Sequence, residues 1–464
     1  MKHKNLRSIF VGLLAIACVS LPVVAGSSVP NPTVYGPIPG VTPGDPSRDY
    51  PFFTPMENLA DYRYVEEEFF ISGFANEYLI PPTGATASIK TSGHPYKTRI
   101  VVRRPISPKK FNGVVVLEWQ NVTAGYDLDA HWGPSWDHFV RHGYAWVGVS
   151  AQRVGVQSKP NGLTEWSPIR YGDLDVTDGG KFMSDQLSYD IFAQAGQAIM
   201  HPQGIDPMAG FPIKLVLAVG ASQSAARLSI YYNSIQPLHN LFEGYYLLVG
   251  GAGLRTDINV KLFQYLSETD LRTGPARRMA DSDYFRSWEV AATGHSSYIS
   301  AVYRDPIVLR DFGAIQWPPD CDKTPYSRTR SYYVINAQYD HLVRWVLYDE
   351  APPIAPKMEV TPGNPPVFAR DEFGIVLGGI RLPDVEVPIA TNTGINSGAT
   401  FCILYGSYEP FDDATLRALY PNHGVYVSAV TKVAKDNLKD GYITTEGAME
   451  FRTSAAQSDI GIWK

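Results

Sequence analysis

The segment from Ile213 to Leu228 limits what this chain can fold into more than any other. It reads Ile213-Lys214-Leu215-Val216-Leu217-Ala218-Val219, then Gly220-Ala221-Ser222-Gln223-Ser224, then Ala225-Ala226-Arg227-Leu228. An apolar run of this length suits a strand buried on both faces of a parallel sheet, and the stretch after it suits a helix. Between them stands Gly-x-Ser-x-Ser, so the chain must pass from strand to helix in a turn too tight for large neighbours. Ser222 is thereby expected as a nucleophile at the sheet edge, at the positive end of the following helix. A serine there also caps a helix, but a buried strand leading into the turn is what a nucleophile needs and a cap does not. Gly148-Val149-Ser150-Ala151-Gln152 shares part of the pattern and leads into a Gly- and Pro-containing loop, so Ser150 is read as structural.

The surrounding chain repeats the same grammar. β-like runs cover Tyr62 to Ile71 and Thr98 to Val102, and buried-strand patterns cover Gly113 to Leu117 and Tyr144 to Val149, with a short helix over Asp137 to His142 between them. A helix from about Ser188 to Met200 precedes the Ile213 strand. The helix after Ser222 runs to about Asn233, and strands follow at Tyr245 to Val249, Val260 to Leu266 and Trp288 to Ala292. Strand and helix in alternation predict an α/β class with a doubly wound, mostly parallel sheet covered on both sides. With 44% hydrophobic residues, the chain has enough apolar surface for one large elaborated domain.

A serine turn needs a base and an acid, and in this arrangement both follow the serine in the chain. His295 ends the strand-like Trp288 to Ala292 through Thr293-Gly294, a small-residue turn that would present an imidazole at the sheet edge. Ser267-Glu268-Thr269-Asp270 follows the preceding strand. Asp270 is the expected acid on its small-x-x-Asp spacing, and Glu268 is the alternative, since either carboxylate can hold the imidazole in the required tautomer. The oxyanion hole is expected from the backbone N–H of Gln223 and one donor in the loop Glu118-Trp119-Gln120-Asn121, with Trp119, Gln120 and Asn121 all open as that donor.

Other constellations carry less. His138 and His142 stand one helical turn apart without the Glu of a zinc motif or a third ligand, so no metal is expected. Asp173, Asp175 and Asp178 lack the Gly and closing Glu of a calcium loop. Val249-Gly250-Gly251-Ala252-Gly253 opens no helix, so no dinucleotide cofactor is expected.

At the N-terminus, Lys2, Lys4 and Arg7 precede an apolar stretch from Ile9 to Val24 and small residues up to Ala25, the pattern of a cleavable signal peptide over residues 1–25. Ala15-Ile16-Ala17-Cys18 loosely resembles a lipoprotein site, which gives anchoring through Cys18 as the alternative to a periplasmic or extracellular product. Loss of those three cations makes the chain more acidic than its formal −6, which argues against a nucleic-acid partner. Cys321 and Cys402 then remain, as a disulfide or as two buried thiols. Prolines recur from Pro30 to Pro55, so residues 26–60 are expected as an extended leader without regular structure.

Taken together, Glu118-Trp119-Gln120-Asn121, Gly220-Ala221-Ser222-Gln223-Ser224, Glu268-Thr269-Asp270 and Trp288-Glu289-Val290-Ala291 with His295 resemble the α/β-hydrolase domain proteins, a family of mostly bacterial, often exported proteins. Arg344-Trp345 before Ala351-Pro352-Pro353, and Gly378-Gly379-Ile380-Arg381-Leu382-Pro383, resemble its C-terminal signature, so the likeness covers about residues 62 to 460. The resemblance implies an α/β-hydrolase fold and a serine-hydrolase mechanism, and makes Ser224 the usual residue at its position. It also implies that residues 301–464, with helices expected at about His341 to Tyr348, Gly424 to Leu438 and Thr445 to Ala456, form a lid integral to a core of residues 61–300. Ester hydrolysis of a small molecule without a cofactor is the expected activity. Amide hydrolysis or acyl transfer by the same triad is the alternative, as is a secreted binding protein on a catalytically dead fold.

Overall fold

The structure is a computed structural model that describes residues 28–40, 48–274, 277–315 and 319–463; the expected signal segment and Cys18 lie outside the described residues. Nine strands form one sheet: β1 (Thr33–Ile38), β2 (Tyr64–Leu79), β3 (Ser88–Pro105), β4 (Val114–Trp119), β5 (Ala145–Val149), β6 (Leu215–Ala221), β7 (Gly244–Leu248), β8 (Lys261–Ser267) and β9 (Phe285–Val290). Their spatial order is β1-β2-β3-β5-β4-β6-β7-β8-β9. The β1 to β5 side is joined antiparallel up to β5, and every pair from β5/β4 to β8/β9 is parallel. Every residue of β4, β5, β6, β7 and β9 is buried; β5, β6 and β7 read as apolar or aromatic runs for that reason, whereas β9 buries Arg286, Ser287 and Glu289 among its apolar residues.

The strand order reverses between β4 and β6. From β4 the chain moves outward to β5, whereas from β6 it moves the other way to β7, β8 and β9. Loops leaving the carboxyl ends of β4 and β6 therefore part in opposite directions, and the crevice between them is where doubly wound sheets bind ligands.

Helices flank the sheet: α1 (Trp132–His142), α2 (Ser188–Met200), α3 (Gln223–Ile230), α4 (Glu268–Thr273), α5 (Tyr298–Phe312) and α6 (Tyr332–Tyr348), followed by the short α7 (Cys402–Tyr405) and then α8 (His423–Lys439) and α9 (Thr445–Gln457). Helix α5 is not evident in the sequence because Pro306 lies in its interior and breaks the helical pattern. Helix α6 begins nine residues earlier than its expected start at His341, because Tyr332 to Asp340 is aromatic and polar, and its helicity comes from packing. The C-terminal segment is also less purely helical than expected, since Val360–Thr361 pairs with Val367–Phe368 and Ala390–Thr393 with Ser407–Pro410.

The leader departs from expectation. Thr33–Ile38 pairs with β2 as an edge strand, with an irregularity between Tyr35 and Ile38 where Pro37 interrupts the register. An edge tolerates a proline because its missing N–H need not serve a neighbour. Phe52 and Phe53 are each only 2% exposed. Their carbonyls accept hydrogen bonds from the buried guanidinium groups of Arg99 (3.1 Å) and Arg103 (3.2 Å), so this part of the leader belongs to the core.

Cys321 and Cys402 form a disulfide across 81 residues of sequence. It fastens the start of α7 to the chain after α5, and the α7 backbone in turn holds the His295 loop, where Ser296 N–H donates to the Leu404 carbonyl (2.9 Å). Closing so long a loop is worth roughly 2 to 4 kcal/mol. Reduction, or a Cys321→Ser/Cys402→Ser double variant, is therefore expected to lower the melting temperature by several degrees in a thermal scan. A melting curve indifferent to both would assign the bond no part in stability.

Candidate active site

The strand-to-helix turn after β6 puts Ser222 at φ 54°, ψ −112°, a conformation non-glycine residues rarely adopt. Two further non-glycine residues with positive φ follow neighbouring strands, Val249 (47°) after β7 and Ala292 (57°) after β9. Strain is thus gathered at one edge of the sheet. Gly250 makes room for the turn, since a Cβ there would lie 2.9 Å from the Ser222 carbonyl oxygen. Ser224, in the place where many such turns carry glycine, latches the bend: its hydroxyl accepts from Ala221 N–H and donates to the Ala221 carbonyl, both at 2.9 Å.

The structure brings Ser222, His295 and Asp270 together. His295 Nε2 lies 2.8 Å from Ser222 Oγ, and His295 Nδ1 lies 2.6 Å from Asp270 Oδ1. The His295 loop can pass close to α7 only because residue 294 is glycine, as a Cβ there would sit 2.4 Å from the Tyr405 carbonyl oxygen. Asp270 is the third residue of α4 and half of a capping box, with Oδ2 accepting from Ser267 N–H (2.9 Å) and Oγ (2.6 Å), which leaves Oδ1 facing the imidazole. Burial alone would raise the Asp270 carboxyl, but the His295 imidazole and the Ser267 donors hold it below the usual carboxylate range.

Glu268 lies two residues away and does not approach His295. Its carboxylate accepts from Arg370 Nη2 (2.5 Å) and from Gly394 N–H (2.9 Å), bracing the C-terminal segment against the acid loop. Ser150 is fully buried and donates to Asp127 Oδ2 (2.5 Å), so it faces no cavity.

The hydrogen-bond donors available beside Ser222 differ from expectation. Gln223 N–H is the first of α3 and has no acceptor among the described residues. In the loop after β4, however, Trp119 is a ladder residue between Val149 and Gly220, Gln120 N–H donates to the Val149 carbonyl (3.3 Å), and Asn121 N–H donates to the Leu128 carbonyl (3.2 Å). None of these three backbone groups is free for an oxyanion. The side chain of Asn121 is another matter: its Nδ2 donates to the Ala221 carbonyl (2.8 Å), beside the nucleophile, and Asn121 lines the cavity above Ser222. Gln152, given no role in the sequence reading, pairs its amide with that of Gln223 (2.5 and 3.1 Å) and so ties the β5 loop to the turn.

Above Ser222 lies a cavity of about 160 Å³. Core loops supply Leu128 and Val249, the leader supplies Phe53, and the segment after His295 supplies Ile335, Leu404 and Tyr405. Asp129 also reaches the wall, where its Oδ2 accepts hydrogen bonds from Arg103 Nη1 (2.5 Å) and the Tyr303 hydroxyl (2.7 Å).

Among solved structures the chain is similar to acetyl xylan esterase 1 from Thermoanaerobacterium sp. JW/SL YS485, at 11% identity over 49% of this chain and 75% of that one, with a TM-score of 0.28. It is similar to esterase Est22 at 12% identity over 55% and 80%, TM-score 0.30. It is also similar to a CE15 glucuronoyl esterase from Teredinibacter turnerae T7901, at 11% identity over 64% and 75%, TM-score 0.26. At such identities the likeness says nothing of substrate. No curated protein matches the chain. The alpha/beta hydrolase domain family matches residues 34–453, a span that takes in the sheet from the second residue of β1 onward and most of α9, and the chain belongs to that family.

Proposed function

We propose that this chain is an exported serine esterase that cleaves small carboxylic esters through an acyl-enzyme. The observation that carries the reading is the unbroken relay from Ser222 Oγ through both His295 nitrogens to Asp270, at 2.8 and 2.6 Å, on the floor of a cavity. In the first half-reaction Ser222 Oγ attacks the ester carbonyl carbon while His295 Nε2 takes its proton. The alcohol leaves with that proton, water attacks the acyl-enzyme by the same route, and the acid departs. Asp270 keeps Nδ1 protonated and stabilises the imidazolium. Gln223 N–H and the side-chain amide of Asn121 meet the oxyanion, and the first turn of α3 adds its positive end. The sequence needs no metal or organic cofactor. Residues 301–464 act as part of the same domain, as lid and wall of the cavity.

Export rests on the N-terminal pattern and is compatible with the disulfide, since such bonds persist in oxidising compartments. Among the described residues, no helix is long and apolar enough to cross a membrane.

Turnover of p-nitrophenyl esters of graded acyl length tests the reaction class, with release of p-nitrophenol expected for the shorter chains. A protein that turns over amides but no ester of the panel would move the assignment to amide hydrolysis. The acid is tested by two variants. Asp270→Asn forces the wrong imidazole tautomer and is expected to lower kcat on the order of 10⁴-fold. Glu268→Gln weakens the brace to Arg370 and Gly394 and is expected to act mainly on thermal stability. The reverse ranking in kcat would transfer the acid's role to Glu268.

A further inference from the structure

Among the described residues, the cavity wall carries one cation that the serine mechanism does not use. Arg304, on α5, lines the main cavity and also a smaller one of about 40 Å³ that shares Ala124, Phe401 and Tyr405 with it. Its guanidinium is held from one side, with Nε (3.2 Å) and Nη2 (3.0 Å) both donating to Asp305 Oδ1. Nη1 has no hydrogen-bond partner among the described residues. Asp305, which also lines the smaller cavity, is more exposed than Arg304, so solvent weakens its hold on the guanidinium. The other acidic group on the wall, Asp129, is held by the Tyr303 hydroxyl and by Arg103, which also pairs with Glu66.

We propose that Arg304 selects esters carrying a carboxylate on the acyl or alcohol part, with one carboxylate oxygen taking a charge-assisted hydrogen bond from Nη1 while the ester carbonyl lies at Ser222 Oγ. A guanidinium fixed by a neighbour loses little freedom on binding, and a part-buried carboxylate partner is worth about tenfold in discrimination. The proposal rests on the serine-esterase reading and deepens it by naming the substrate class.

The test compares matched esters that differ only in that charge. On the acyl side these are p-nitrophenyl hydrogen adipate and p-nitrophenyl methyl adipate; on the alcohol side they are the butyrate esters of 4-hydroxybenzoate and of methyl 4-hydroxybenzoate. The wild type is expected to favour the carboxylate member of one pair by about tenfold in kcat/KM. Arg304→Gln is expected to bring that ratio to about one, and Arg304→Lys to restore part of it. The pair that responds identifies which part of the substrate reaches α5. A purely structural role for Arg304 would lower both members alike and leave the ratio intact, which overturns the proposal, as does a wild type without preference in either pair. A binding measurement separates this from failure of the esterase reading itself. In a Ser222→Ala background, calorimetric titration should show monomethyl adipate binding more tightly than dimethyl adipate, and Arg304→Gln should abolish the difference. Absence of turnover with that difference intact would sink the esterase reading alone, whereas equal binding of both compounds would sink the carboxylate site.

Discussion

Ser222→Ala is expected to lower ester turnover on the order of 10⁴ to 10⁶-fold and to remove labelling by a fluorophosphonate probe. Loss of the nucleophile leaves only binding and the oxyanion donors, which accounts for a residual of this size in other triads. Ser224→Ala and Ser150→Ala are the informative controls. Ser224 latches Ala221 and points into the turn, and Ser150 is enclosed with Asp127 and Arg99, so neither oxygen faces the cavity. In both variants the labelled peptide should still carry its modification on Ser222. Label retained in Ser222→Ala would falsify the assignment of the nucleophile, and label lost in Ser224→Ala with the fold intact would show how far the strained φ of Ser222 depends on its latch.

The parts of the site that the sequence made legible are those with a local physical signature. A strand buried on both faces favours apolar residues, so β6, apolar throughout, and its turn stood out around Ser222, and the small-residue turn Thr293-Gly294 stood out before His295. The choice between Glu268 and Asp270 also had a local signal, because Ser267-x-x-Asp270 is a capping box that turns the third helical residue back over the strand end. Glu268, at the first position of the same helix, points instead to Arg370 and Gly394, more than a hundred residues away. That partner set has no local trace, and the same holds for the loop after β4. The backbone groups of Gln120 and Asn121 look free in the sequence, and only their pairing with Val149 and Leu128 shows that they are spent. The leader was misread for a related reason: prolines exclude an interior strand, but they do not exclude an edge, nor the burial of Phe52 and Phe53 under two arginines.

Cutting the chain after Gly313, at the end of α5, is expected to give an insoluble or inactive product. The removed segment completes the core at several points. On α6, Trp345 is 1% exposed, the Tyr339 hydroxyl lies 2.6 Å from His131 Nδ1, and Gln338 accepts from the Tyr246 hydroxyl of β7 (2.7 Å) while donating to the Gln264 carbonyl of β8 (3.3 Å). Without α6 the apolar face of β7 and β8 would meet water and three buried polar groups would lose their partners, each at a cost of about 1 to 3 kcal/mol. Ile380 also pairs alongside Val290, its N–H donating to the Glu289 carbonyl (2.7 Å) and its carbonyl accepting from Ala291 N–H (3.0 Å), so truncation would bare the edge of β9. Glu268 would be left as a buried carboxylate without Arg370. A stability of roughly 5 to 15 kcal/mol does not survive losses of that kind together. The alternative is an appended unit that merely covers the site, and it predicts the opposite: a soluble fragment of residues 26–313 with a cooperative melt, hydrolysing p-nitrophenyl acetate at the full-length rate. An intermediate result, a folded fragment with small esters turned over and selectivity lost, would divide the segment into a dispensable wall and a core that reaches only to β9.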